Sequence, residues 1–149
     1  MQNYSFRTSV RIWHPSIDPD LISTELGLEP RHSAMAGRPR RTPKGRPLNG
    51  LYSESYWWCE PWERGEIAST DLLIEDSIAE VLELLSPHKA FLNRLRAEGG
   101  RILLWVSSYS NRNYAFEVPP ELLQQCAELS LTFAHDVFPV AQNSWQAVG

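Results

Sequence analysis

This sequence predicts a single α+β domain, on three observations. Segments with period-two alternation open, interrupt and close the chain, segments with helical spacing lie between them, and Pro and Gly fall at the boundaries. The order is strand, helix, strand, helical pair, strand, helix, strand. Two β-α-β halves fit that order, which predicts a ferredoxin-like two-layer sandwich with the helical pair inserted between the halves. One core serves a chain of 149 residues, and 42% hydrophobic with 11% aromatic residues fills it rather than leaving the chain disordered. No internal repeat is visible.

The first strand spans Ser5 to Trp13, with Phe6, Thr8, Val10 and Ile12 on one face and Arg7, Ser9, Arg11 and Trp13 on the other. Asp18 is a good N-cap and Pro19 suits the first helical position, where a missing N–H costs nothing. The helix that follows is expected to bury Leu21, Ile22 and Leu26, with Gly27 at its left-handed end and Pro30 barring continuation. Residues 31–53 read as a long loop. Tyr56 to Glu60 reads as an aromatic strand, and Ser69, Thr70 or Asp71 offers a cap for the next helix. That helix carries Ile74, Ile78, Val81, Leu82 and Leu85 in one stripe and ends at Pro87. A second helical piece from His88 to Glu98 buries Phe91, Leu92 and Leu95, and Gly99-Gly100 stops it.

Arg101 to Tyr109 is the strongest strand, with Ile102, Leu104 and Val106 on one face and Leu103, Trp105 and Tyr109 on the other. Bulk on both sides predicts either cover from the helical pair on the second face or a side left open to a partner. Ser110 to Asn113 forms a polar turn, and Tyr114 to Val118 a short extension. Pro119-Pro120 opens a helix packed by Leu122, Leu123, Cys126 and Ala127. A last strand runs from Leu131 to Phe138 with Leu131, Phe133, His135 and Val137 inward. The tail, residues 139–149, is expected to be irregular, with Trp145 docking onto the body.

The net charge of -4 is unevenly spread. Arg31, Arg38, Arg40, Arg41, Lys44 and Arg46 lie in a stretch without an acid, which leaves 8 bases against 18 acids elsewhere, a local net of -10. A body that negative repels nucleic acid while the basic stretch attracts it, so acidic or mixed protein partners suit the combination better. Cys59 and Cys126 lack the spacing of a metal or redox motif and are expected to be buried and reduced, with a disulfide between them as the alternative. The opening residues have neither the basic start nor the apolar core of a signal peptide, and no apolar run reaches membrane-spanning length, so a cytoplasmic protein is expected.

Several landmarks occur in a recognisable order. Ile17-Asp18-Pro19 leads to Leu26-Gly27-Leu28-Glu29-Pro30, then Gly37 and Trp57-Trp58. Further on come the acidic-apolar helix ending at Ser86-Pro87 and the strand with Asp136-Val137-Phe138. Their spacing resembles the bacterial domain-of-unknown-function family 4279 over nearly the whole chain. The resemblance brings no assigned activity. It implies a possible place beside toxin–immunity genes, and hence an inhibitor role; the basic stretch is heavier here than the family pattern requires.

Three constellations are candidate binding elements. The basic stretch, with Arg38, Arg40, Arg41, Lys44 and Arg46, offers guanidinium forks for carboxylates or phosphates. Trp105 and Tyr109 share an outward sheet face with Arg7, Arg11 and Trp13, residue types that dominate binding hot spots. Trp57, Trp58 and Trp62 sit among Glu54, Glu60, Glu63 and Glu66, and neighbours on a strand point oppositely, so at most one of Trp57 and Trp58 is core.

For chemistry there is little. His14, His32, His88 and His135 show no metal-ligand spacing, and there is no phosphate loop or nucleophile elbow, so neither enzyme activity nor a cofactor is expected. The loosely plausible polar cluster is Asp136, His135 and Arg11, with Asp136 placed to pair with Arg7 or Arg11. The leading expectation is a non-enzymatic protein-binding module, an immunity-type inhibitor occluding a toxin through Arg38 to Arg46 and the patches near Trp57, Trp62 and Trp105. The alternative is a single-stranded nucleic-acid or RNA-binding domain using Trp13, Trp105, Tyr109 and the basic stretch.

Overall fold

A computed structural model describes residues 3–139; Trp145 and the tail from residue 140 lie outside the described residues. The elements are β1 (Ser5–His14), α1 (Pro19–Leu26), β2 (His32–Ala34), β3 (Pro39–Arg41), β4 (Pro47–Leu51), β5 (Ser55–Cys59) and β6 (Ile67–Ala68). They continue with α2 (Ile74–Leu85), α3 (Lys89–Ala97), β7 (Arg101–Ser110), α4 (Pro120–Glu128) and β8 (Leu131–Pro139). The fold is α+β with a mostly antiparallel sheet in the order β2-β5-β1-β7-β8, and β6 pairs with the start of β1. A separate two-stranded ribbon joins β3 to β4.

β1 and β7 are central neighbours, as expected, and they run antiparallel, as the two central strands of a ferredoxin-like sheet do. β7-α4-β8 is a parallel crossover, but its two strands are adjacent, whereas a ferredoxin-like half has another strand between them. The first β-α-β unit is not formed: β5 lies antiparallel to β1. Its direction is set by a hairpin, because β2 begins that hairpin and β5 is its returning arm. Two matched β-α-β halves are therefore not what the chain builds.

One face of the sheet forms the core. Phe6, Val10, Ile12, Trp57, Leu104 and Val106 are 0% exposed, packed in one cluster with Ile22 and Leu26 of α1, Ile74, Ile78, Val81 and Leu85 of α2, and Leu92 and Leu95 of α3. All the helices with buried stripes thus share this inner face. The α2–α3 pair does not cover the second face, which corrects one of the two expected arrangements. The reason lies in α2, whose apolar stripe is continuous with the Phe6–Val10–Ile12 row and leaves only one side of the sheet to close.

Asp18 caps α1 through Oδ1, which accepts from the Asp20 N–H at 2.9 Å, and Gly27 takes the left-handed end at φ 67°. Leu21 is 56% exposed because the 100° helical step puts the buried stripe on Ile22 and Leu26. Likewise Leu123 is 51% exposed and Ala127 exposed, while Cys126 is buried. α2 starts later than expected, with Leu73 at the cap position and no capping side chain. The expected cap Ser69 is used elsewhere: its hydroxyl accepts from the Tyr4 N–H at 3.0 Å. Residues 114–118 are not a strand but a cover over the core edge, with Tyr114 stacked on Tyr4 at 4.6 Å and Phe116 edge-on to Phe133 at 6.2 Å. Past that cover β8 is open, so Val137 is 56% exposed instead of inward-packed. Cys59 and Cys126 are buried free thiols; burial raises both pKa values, that of Cys59 to about 11.

Candidate partner-binding site

Residues 31–53 are not an irregular loop. The pairs His32↔Trp58 and Ala34↔Tyr56 in the sheet and Pro39↔Leu51 beyond it continue one register, so β2–β3 and β4–β5 are two arms of a single long hairpin. Tyr52 N–H donates to the Arg38 carbonyl at 2.9 Å and Gly37 N–H to the Tyr52 carbonyl at 2.8 Å, bridging the two ladders. Gly37 and Gly50, at φ 80° and 88°, supply left-handed backbone on the two arms where the sheet ladder gives way to the separate β3–β4 ribbon. At the tip, Thr42 N–H donates to the Arg46 carbonyl at 2.8 Å, and the Thr42 hydroxyl accepts from Arg46 N–H at 3.0 Å. The Tyr52 hydroxyl both accepts from Arg41 N–H and donates to the Arg41 carbonyl, each at 3.1 Å. Proline and glycine exclude a helix or central strand here, but an exposed two-stranded ribbon tolerates them.

This basic arm carries its charge unneutralised. Arg38, Arg40, Arg41, Lys44 and Arg46 are exposed, and among the described residues none of them is ion-paired with a carboxylate. Arg40 reaches only the Asn49 carbonyl, at 3.4 Å. Arg31 behaves differently, because its guanidinium lies 2.6 Å from Glu60 Oε2. Glu60 is 6% exposed and also accepts from Arg7, at 3.1 and 3.3 Å, an interaction that raises the Arg7 pKa. The acidic rim expected around the tryptophans is therefore not one open patch.

Under the arm, the outer face of the sheet is built from cross-strand rows. His32, Trp58, Arg11 and Leu103 sit opposite one another on β2, β5, β1 and β7. The His32 ring stacks on Trp58 at 4.9 Å, and the Arg11 guanidinium lies 4.8 Å from the Trp58 ring centre and 4.2 Å from that of Trp105. Burial between the two indoles lowers the Arg11 pKa, and Arg11 Nε donates to the Ser9 hydroxyl at 3.2 Å. The next row is Ala34, Tyr56, Trp13 and Arg101, with Trp13 and Tyr56 5.1 Å apart and Arg101 over Trp13 at 5.3 Å. Burial raises the Tyr56 pKa.

Between arm and sheet runs an open groove of about 970 Å³. Its floor is Trp13, Tyr56, Trp58, His32 and Ala34, and its far wall is Arg38, Arg41, Thr42, Pro43 and Tyr52. That is within the range of ligand sites, and it combines apolar rings with a few charged groups.

The residues picked from sequence separate into four groups. Arg38 and Arg41 line the groove, while Arg40, Lys44 and Arg46 are on the same arm but outside its lining. Trp105 is beside the groove floor, joined to Trp58 through Arg11, and Tyr109 lies further along the outer face, stacked on Phe138 at 5.3 Å with its pKa raised by burial. Trp57 is not at the surface: it is 0% exposed and its indole N–H donates to the Ser23 hydroxyl at 3.0 Å. Parity decides this, since β5 turns Trp57 inward and Trp58 outward. Trp62 is exposed but remote from the groove, in the turn before β6 with Arg64 over its ring at 4.7 Å. Tyr56 and His32 were not singled out as binding residues. The signal for Tyr56 was two-residue spacing from Trp58; His32 needed the strand pairing.

The polar cluster of Asp136, His135 and Arg11 is not assembled. His135 faces the helix side, where Nε2 is 2.7 Å from the Ser108 hydroxyl and 3.1 Å from that of Tyr114, and burial of that edge lowers its pKa. Asp136 makes no ion pair with Arg7 or Arg11, which are engaged by Glu60 and by the tryptophans. Ser108 is 0% exposed, so its hydroxyl faces His135 and Tyr114 inside the fold rather than solvent. Among the described residues no group of three His, Cys, Asp or Glu is arranged to hold a metal, and no helix is long and apolar enough to cross a membrane.

Sheet, helices and overhanging arm together define an α+β domain closed by helices on one side and carrying a basic groove on the other. The family model described as Domain of unknown function (DUF4279) matches residues 4–138, and the chain belongs to that family. Neither the curated proteins nor the solved structures contain a match.

Proposed function

We propose that this chain is a non-enzymatic, cytoplasmic protein-binding module that holds an acidic partner against the basic arm. The concrete form we favour is an immunity-type inhibitor that occludes a toxin. One observation carries the reading: five cations are held on an exposed two-stranded ribbon and none is ion-paired with a carboxylate among the described residues. Structural charges are normally paired or scattered, whereas a field of one sign on a projecting element steers an oppositely charged partner and speeds encounter. The acidic remainder of the chain opposes nucleic acid over the same distances. Side-chain packing adds a second argument against base stacking. Trp58 is flanked by His32 and Arg11, Trp105 is faced by Arg11, and Tyr109 by Phe138, so the outer-face rings are already engaged.

Affinity capture from the native host tests this. The wild-type chain is expected to retain a protein partner at low salt, and R38E/R41E to lose it. Purified partner is then expected to lose activity when the chain is added. Capture of no protein, or a partner whose activity is unchanged while bound, ends the respective part of the proposal.

A further inference from the structure

The arm has two sides with different surroundings, and that difference specifies more than the charge alone. Arg38 and Arg41 border the groove, over Tyr56 and Trp58, whereas Arg40 turns back to the Asn49 carbonyl and Lys44 and Arg46 lie at the tip outside the lining. On the floor, Ala34 is the small residue in a row otherwise made of Tyr56, Trp13 and Arg101. Ala34 lines the groove with Met35, Tyr52 and Trp58, and its small side chain makes that end of the row a recess between larger ones.

Resting on the protein-binding reading, we infer that the groove takes a short extended acidic segment of the partner, its carboxylates on Arg38 and Arg41 and one apolar side chain in the recess over Ala34. Charge complementarity commits it to an acidic occupant: against the single carboxylate in the lining, Glu54, the wall offers two guanidinium forks without ion-pair partners among the described residues, and such forks match carboxylates in bidentate geometry. The floor commits it to an apolar anchor, since aromatic pockets with a ring of polar groups are where a single side chain contributes most to binding. A polynucleotide fits less well. Its bases need free ring faces, and Trp58 has its two flanks occupied by His32 and Arg11. The outward cations Arg40, Lys44 and Arg46 then act at a distance, raising the encounter rate without contacting the bound segment.

The test uses the full chain and a synthetic peptide of alternating Glu with one central Leu, followed by the fluorescence of the groove tryptophans at about 50 mM salt. Binding is expected to weaken about tenfold or more in R38Q/R41Q and less than about threefold in the charge-matched K44Q/R46Q. Replacing the peptide Leu with Ala, or filling the recess by A34L, is expected to weaken it by a similar tenfold or so. Equal losses in the two double variants would show a nonspecific field and overturn the inference. So would tighter binding of a uridine oligonucleotide than of the peptide, or an A34L chain that melts like wild type yet binds unchanged. The two proposals fail separately. A native partner captured equally by wild type and R38Q/R41Q sinks the groove while sparing the protein-binding reading. Peptide binding with the stated asymmetry, but no partner from the host, does the reverse.

Discussion

Trp57 and Trp58 are neighbours in the chain and meet opposite fates. Trp57 is sealed in the core with its indole N–H bonded to Ser23, while Trp58 is half-buried between a histidine and an arginine on the outer face. The inner face is closed by apolar helices, whose burial of side chains is the main stabilising term. The outer face is closed by its own long side chains. Arg11, Arg101 and Arg31 lie over Trp58, Trp105 and Trp13, and the guanidiniums cover aromatic area without a helix. The two faces of one sheet thus use different physics: the first seals by apolar helices, the second by cations stacked on rings, which bury the indole N–H groups of Trp58 and Trp105 without a hydrogen-bond partner. A surface of the second kind is available to a partner, and a surface of the first kind is not.

Substitutions that treat the faces alike should therefore give unlike results. The largest effect is expected from W57A, about 3–5 kcal/mol lost in chemical denaturation, against about 1–2 kcal/mol for W58A. Equal losses would mean that the outer face is as tightly packed as the core. Next is E60Q, which removes the carboxylate shared by Arg7 and Arg31. Both partners are partly solvated, so the expected cost is about 1–2 kcal/mol rather than that of a deeply buried pair. R11M keeps the aliphatic stem and deletes the charge between the indoles. It should cost about 1 kcal/mol and redden tryptophan emission as Trp58 and Trp105 gain water, and an unchanged spectrum would count against the stack.

At the rim of the inner face, His135 has its folded pKa lowered by burial from the ordinary 6.5. A histidine that resists protonation when folded binds fewer protons native than unfolded. Its penalty is therefore absent above about pH 6.5 and grows as pH falls through that value. H135Q should flatten the melting-temperature profile between about pH 7 and 5, and a wild-type slope that survives the substitution would assign it to another group. The smallest effect is expected at the arm, where R40Q/K44Q should shift stability by no more than about 0.5 kcal/mol. A larger loss there would mean that the arm's charges support the fold and are not kept for a partner.

Legibility from sequence followed the same division. Phe6, Val10 and Ile12 on β1, the caps Asp18 and Gly27, and the stripe of α2 were readable because alternation and helical spacing are local. The helices' choice of face was not. Bulk on both sides of β7 left a second cover and a face open to a partner as the two readings; Leu103 and Trp105 are covered by side chains, and a pattern of apolar residues does not tell a helix roof from an arginine one. The hairpin was unreadable for a different reason. Its distal strands are three and five residues long, fully exposed and rich in Pro and Gly, so neither period nor burial marks them. Its cations were found; its shape, and the groove that the shape creates, came only with the pairing of β2 to β5. Trp57 was misassigned to the surface because parity says that two adjacent tryptophans differ but not which one is in.

The register shift between Pro39 and Arg41 has a bearing on how the chain tolerates change in length. Strands that bury one side cannot slip by a residue without turning every side chain over, so an insertion near Ala34 or Tyr56 would eject Trp57 from the interior. Beyond the shift the two ladders are out of step already, and an added or deleted residue at Thr42–Arg46 is absorbed there. Diversity in reach and charge can accumulate at the tip while the base stays invariant in count, which makes the hairpin a natural mount for grafted recognition sequences.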